Sequence, residues 1–168
     1  MGLFYRRKYG LDFHSVRYPG IVGPGVRTPA VAQYTSWAIE ACGEGKPFTI
    51  WVEPETAVPV VYVKGAARAI VELKEAPRDA IKTVNYLLVG ATPVATAGDL
   101  ADIVWAKVPG AQIDFKPDVG LEEVLDRLLL PLDDRKARQE WGWKPGYDQE
   151  QIVDDFLTEL RENPERYA

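Results

Sequence analysis

Few residues in this sequence have types and spacings that suggest chemistry. Tyr5 and Lys8 are met first. A tyrosine acts as general acid or base when a lysine four residues on lies above it on the same helix face and its charge lowers the phenol pKa. The residue four after Tyr5 is Tyr9, and Lys8 belongs to the basic run Arg6-Arg7-Lys8. Such a run suits the negative end of a helix dipole, so the pair is given no catalytic role, and no catalytic residue is assigned in the chain. Gly20, Gly23 and Gly25 are spaced differently from a dinucleotide-binding glycine motif. Pro24 interrupts them, no helix follows at once, and no acidic residue stands at the distance that would hold a ribose. They read as a turn. His14 lies in a strand pattern with no matching Ser or Cys nucleophile, so a structural position is expected. Cys42 falls on the apolar side of a helix and reads as core. With one cysteine and one histidine, no metal site and no internal disulfide are expected. Trp141 and Trp143 are large enough to stack on a ligand, but read as covering the core between the last two helices. Asp133 and Asp134 are neighbours whose side chains point apart, which fits surface charge or capping better than a catalytic pair.

The elements that must position these residues alternate between strand and helix. Residues 3–9 look like the last turns of a helix stopped by Gly10. Residues 13–18 read as a strand, and the breakers of residues 19–25 predict a loop leaving its end, able to approach a ligand closely. A helix is predicted over 31–42, strands over 48–52 and 60–63, and a helix over 66–74. A strand over 84–89 precedes a helix capped by Thr96 with Asp99 three residues on. A strand over 112–116, a helix over 120–130 and a last helix from Asp148, with Gln151 in the reciprocal capping position, complete the chain. The alternation predicts an α/β fold, with too few strands for a complete doubly wound sheet.

The chain has 168 residues, 46% of them hydrophobic, and a net charge of -5. That is enough apolar material for one folded domain. The charge is spread along the sequence, so neither nucleic acid nor an anionic membrane is expected as a partner. No apolar run is long enough to span a bilayer and no signal-peptide core follows Met1, so the expected compartment is the cytoplasm.

Residues 4–21, with Arg17-Tyr18-Pro19-Gly20 near their end, resemble the segment that follows the catalytic Tyr-x-x-x-Lys helix in the extended short-chain dehydrogenases, the NAD-dependent epimerase/dehydratase family. Within that family the chain is most similar to the short-chain type of L-threonine 3-dehydrogenase. The likeness runs through residues 55–63 and 108–118 and is most specific over residues 130–143, which include Pro131-Leu132-Asp133-Asp134-Arg135 and Glu140-Trp141-Gly142-Trp143. Departures are present too. Ala30-Val31-Ala32-Gln33 precedes Tyr34 where threonine dehydrogenases carry Gly-Thr-Thr-Asp, and Leu130 replaces a tryptophan. Val58-Pro59 and Gly65 stand where nucleotide-sugar epimerases often have a phosphate-binding arginine and an aspartate.

The resemblance implies the C-terminal portion of a Rossmann-type sheet, itself incomplete, with the small substrate-binding domain of the family. Residues 1–25 would be the end of the catalytic helix, a strand and the nicotinamide-side loop, and residues 26–168 mainly the substrate-binding region. By the same likeness Tyr18, Pro19, Gly20 and Ile21 are the cofactor-contact candidates. Arg27, which follows Gly23-Pro24-Gly25, is able to bind an anionic group, so Arg27 and Thr28 are the substrate-binding candidates, with a solvated loop arginine as the alternative. The complete family fold takes NAD or NADP; this chain alone is expected to bind neither tightly and to be inactive alone, as the C-terminal part of an oxidoreductase for a small hydroxy substrate. The alternatives are part of a nucleotide-sugar epimerase or dehydratase, or a non-catalytic α/β module from a split or truncated gene. An open edge on the strand at residues 13–18 leads to the expectation of a homo-oligomer or of pairing with a separately encoded N-terminal half.

Overall fold

A computed structural model describes residues 1–128 and 132–167. In chain order they form α1 (Gly2–Tyr9), β1 (Ser15–Arg17), β2 (Gly20–Val22), a 3-10 turn (Val31–Gln33), α2 (Tyr34–Gly43), β3 (Phe48–Ile50) and β4 (Val60–Tyr62). Then come α3 (Val63–Glu75), β5 (Asn85–Leu87), α4 (Ala97–Lys107), β6 (Ile113–Phe115), α5 (Val119–Leu128), α6 (Arg135–Trp141) and α7 (Gln149–Glu162). The α/β alternation is the one expected. The strands make three two-stranded parallel pairs, β1 with β5, β2 with β4 and β3 with β6. Parallel neighbours need long crossovers between them, which the helices provide.

Local signals act where the sequence puts them. Gly10 ends α1 in a left-handed conformation, φ 66°, with its N–H on the Arg6 carbonyl. Thr96 and Asp99 form a reciprocal capping box at the start of α4, as do Asp148 and Gln151 at the start of α7. Three predictions need correction. Residues 19–25 are not all loop, because Gly20, Ile21 and Val22 pair in parallel with Val60, Val61 and Tyr62. The breakers Pro19 and Gly23 flank the strand, and the β-branched pair between them is free to extend. Helix α3 starts at Val63, three residues early, directly from β4. Residues 135–141 form a helix of their own, α6. The end of the helix predicted over 120–130 lies outside the described residues.

Two apolar cores result. The smaller one gathers Ala69, Ile81, Tyr86, Leu88, Ala137 and Trp143, with Val16 and Tyr18 packed against it, so it draws on residues well to both sides of position 25. The larger holds Val22, Tyr34, Ile39, Cys42, Val60, Tyr62, Leu100, Val104, Ile152 and Phe156. Each large side chain buried there contributes about 1.5–3 kcal/mol. Backbone meets backbone at β4. Ala91 donates its N–H to the Val60 carbonyl at 2.8 Å, and a Cβ on Gly90 would sit 1.9 Å from that same oxygen. Only glycine fits there.

Trp141 and Trp143 are core residues, as expected, but they pack beneath β5 and α3 rather than between the last two helices. Trp143 is fully buried, donates its indole N–H to the Val89 carbonyl at 3.1 Å and lies under the Arg68 guanidinium. Beside them Glu140 reaches from α6 to the approach of β5. It accepts from the Lys82 and Thr83 backbone N–H groups at 2.7 and 2.8 Å, and from the Thr83 and Tyr86 hydroxyls, both at 2.6 Å. Helix α1, by contrast, buries none of its residues and leaves Phe4, Tyr5 and Tyr9 exposed.

Glu140 makes stability depend on acid. Partial burial pushes its carboxyl up, but the four donors outweigh burial and hold it at about 2. In an unfolded chain a glutamate titrates near about 4.3. The depressed folded value therefore stabilises the fold above that pH, and this contribution is lost as pH falls through about 2. Glu140→Ala is expected to cost about 1–3 kcal/mol at neutral pH. Denaturant unfolding should show the gap from the parent chain narrowing steadily toward pH 2; a gap that stays constant would remove the carboxylate charge as its source.

Candidate functional site

Where the chain passes from β1 to β2 it leaves one parallel pair and enters another. Tyr18 and Pro19 make that passage at the carboxyl end of β1, the kind of switch between strand neighbours at which open α/β sheets form crevices. The parallel register Gly20 to Val60 brings Pro59, just before β4, alongside Pro19. The Gly20 N–H donates to the Pro59 carbonyl at 3.1 Å. Tyr18 is pinned from behind, its hydroxyl donating to the Ala66 carbonyl of α3 at 2.6 Å. Burial pushes this phenol's pKa up, and its one proton is already committed.

Opposite this wall, Ala30, Val31 and Ala32 come forward on the 3-10 turn. Val58, Leu125 of α5 and Leu132 also line this cleft of 490 Å³. Helix α5 is held over it by Glu122, whose carboxylate accepts from the Glu53 backbone N–H and from the Thr56 hydroxyl. The Trp51 indole N–H donates to the Val31 carbonyl at 2.8 Å and fixes the turn from below. Among the described residues lining the cleft the Tyr18 phenol is the one titratable group. A wider cleft of 730 Å³ at the far ends of α2 and α4 shares no residue with it, and its Lys107 is paired with Asp154 at 2.7 Å. The smaller cleft is the candidate site, because it joins Tyr18, Pro19 and Gly20 to a second wall.

The model of the NAD dependent epimerase/dehydratase family matches residues 2–87. This chain belongs to that family. The mitochondrial L-threonine 3-dehydrogenase of Bos taurus is 33% identical, aligned over 94% of this chain and 42% of its own length. The GalE-like L-threonine dehydrogenase from Cupriavidus necator, in its holo form, superposes with a TM-score of 0.83 at 30% identity, covering 95% of this chain and 51% of that one. The L-threonine dehydrogenase from Phytophthora infestans gives a TM-score of 0.84 at 25% identity. The fold is thus Rossmann-like and that of the threonine dehydrogenase and GalE-like structures. The chain spans about half the length of these relatives.

In this epimerase/dehydratase chain the predicted residues separate. Tyr18, Pro19 and Gly20 line the cleft, whereas Ile21 is not among its lining residues and is 42% exposed on β2. Arg27 and Thr28 do not line it. The Arg27 guanidinium donates to Glu40 at 2.6 Å and to the Tyr167 carbonyl at 2.5 Å, and Thr28 is exposed. The nearby glycines have structural reasons. A Cβ on Gly23 would meet Val63 at 2.7 Å, and Gly25 has φ 77°. The Gly25 N–H donates to the Glu40 carboxylate at 3.0 Å, so a phosphate there would face a negative charge. Lys8 lies over the Phe4 and Tyr9 rings, 5.3 and 5.1 Å from their centres. The His14 ring is held between the Thr83 carbonyl, 2.9 Å away, and Asp12, 3.1 Å away.

The opposite wall, Ala30, Val31, Ala32 and Leu125, has no chemical signature in sequence and was missed. Pro59 was readable in principle, since two prolines each placed just before a strand become neighbours once the strands pair in parallel. The Tyr18 anchor is open to test. Tyr18→Phe should lower stability by about 1 kcal/mol through the lost hydrogen bond to Ala66. Hydrogen exchange should then quicken at Gly20 without global unfolding, and unchanged protection would mean that ring packing alone holds the passage.

Proposed function

We propose that this chain forms the nicotinamide-side wall and the substrate lobe of an NAD(P)-dependent oxidoreductase that acts on a small hydroxy substrate, like the L-threonine dehydrogenases. The carrying observation is the juxtaposition of Tyr18, Pro19 and Gly20 with the second wall of the 490 Å³ cleft. Uncharged and partly backbone, Pro19 and Gly20 fit the flat nicotinamide end of the cofactor. When bound, that group supplies a hydride acceptor for a carbinol C–H. The hydroxyl proton needs a base, and Tyr18 is unsuited to it, being committed to Ala66 and raised in pKa by burial. Val58 and Pro59 line the cleft where a nucleotide sugar's diphosphate would call for an arginine, which favours the small substrate over a sugar nucleotide.

On this reading the chain holds the nicotinamide end weakly and the whole dinucleotide not tightly, since Gly20, Gly23 and Gly25 lack the spacing of a pyrophosphate-binding turn and the Gly25 N–H is already taken by Glu40. Nicotinamide mononucleotide is expected to shift the amide resonances of Tyr18, Gly20 and Ile21 in the millimolar range, while calorimetry detects no micromolar NAD binding and the chain alone turns over no substrate. Micromolar binding of NAD would overturn the second part, and undisturbed amides the first.

Association belongs to the same reading. β1 pairs with β5 on one side and with no other described strand, and α1 exposes Phe4, Tyr5 and Tyr9 beside it. An open edge next to apolar rings favours self-association, and symmetric closure would satisfy both copies. Light scattering over a concentration series should give a mass above the 18.8 kDa of one chain. A monomer throughout, with β1 protected from exchange, would refute it.

A further inference from the structure

The loop after β2 carries the chain into the second wall of the smaller cleft, and a clasp holds it on the way. Glu40 of α2 has a side chain 10% exposed. Its carboxylate oxygens accept from the Gly25 N–H at 3.0 Å and from the Arg27 guanidinium at 2.6 Å. The other terminal nitrogen of that guanidinium donates to the Tyr167 carbonyl. Arg27 therefore joins α2 to the 3-10 turn Pro164–Arg166 that follows α7. Tyr167 returns the contact. Its ring fills the space of a Gly25 side chain, 2.8 Å from where a Cβ would stand. Its hydroxyl donates to Glu159 of α7 at 3.1 Å, and Glu159 is bonded to Lys64 of α3 at 2.7 Å.

Three residues beyond Arg27 stands Ala30, where the wall begins. Past that point the wall is held by other groups, the Trp51 indole on the Val31 carbonyl and the Thr35 hydroxyl on the Ala32 carbonyl, both at 2.8 Å. We infer, resting on the reading of this cleft as the site of the nicotinamide end and its substrate, that Arg27 and Tyr167 are positioning residues for it. With Glu40 they set where the chain enters the wall, so the turn after α7 governs the side of the cleft that Ala30 forms. The fork of a guanidinium suits the task, since it meets a carboxylate and a carbonyl along two fixed directions. A lysine ammonium keeps the charge for Glu40 without the second direction. Order imposed on the loop beforehand is a cost that a ligand no longer meets on binding.

Hydrogen exchange of Arg27→Lys and Tyr167→Ala, with each titrated with nicotinamide mononucleotide, tests this. Exchange should quicken about tenfold, the ratio for one hydrogen bond to a charged group, at Gly25 and at Gln33, whose N–H donates to the Ala30 carbonyl at 3.0 Å. Ala91, bonded to Val60, should keep its protection, which separates a loosened loop from global unfolding. The mononucleotide should bind both variants about threefold more weakly, the cost of ordering that part of the loop. Should Tyr167→Ala fail to fold, Arg27→Lys decides alone. Unchanged exchange at Gly25 and Gln33 in Arg27→Lys overturns the inference. If the mononucleotide binds parent and variants alike, the reading of the cleft stands and the inference falls; if it leaves the parent chain's amides unmoved, both fall.

Discussion

Close backbone packing around β4 is the constraint on which the rest of this molecule depends. All three residues of that strand are buried. One edge pairs with β2 in a register that sets Gly20 against Val60. Ala91 bonds to the Val60 carbonyl, and Gly90 approaches that oxygen more closely than any side chain permits. Such an approach needs a glycine and leaves no slack, because packed backbone cannot give way as the end of a flexible side chain can. The segment after β5 is thereby locked to β4, and the smaller core to the larger. A change in either would be felt at the passage from β1 to β2, which lies between them.

The cleft follows from that arrangement. A chain that leaves one parallel pair for another must cross a gap, and Tyr18 and Pro19 cross it. Their side of the gap is set by β1 and α3, while the other is set by a turn held through Trp51 and by a helix held through Glu122. Each wall is fixed by contacts behind it, away from the cleft, so its face can remain apolar.

Carboxylates do much of the anchoring. Glu140 gathers four donors at the approach to β5, Glu40 fastens the loop after β2, and Lys64 bridges Asp155 and Glu159 at 2.6 and 2.7 Å to tie α3 to α7. Lys64 is raised in pKa chiefly by its hydrogen bond to Asp155, and then by the one to Glu159. None of these groups lines the cleft. Their charge is spent on backbone donors and on one another, where partly buried charge-assisted hydrogen bonds are strongest.

What the sequence determined by itself is what depends on neighbours a few residues away. The helix stop at Gly10, the capping boxes at Thr96 and Asp148, the buried face of α2 with Cys42, and the α/β alternation all follow from local geometry and periodicity. The likeness of Arg17-Tyr18-Pro19-Gly20 to the epimerase/dehydratase family was legible for the same reason, being a contiguous run. Only the tertiary structure decided the rest. Strand β2 exists because β4, some forty residues on, offers it an edge. Glu140 finds its partners 54 to 58 residues away, and Ala30 and Ala32 become a wall only because Pro19 and Val58 stand across from them. Small apolar residues and single glutamates carry no signature of such roles, since their meaning is set by the register and packing that bring distant backbone together.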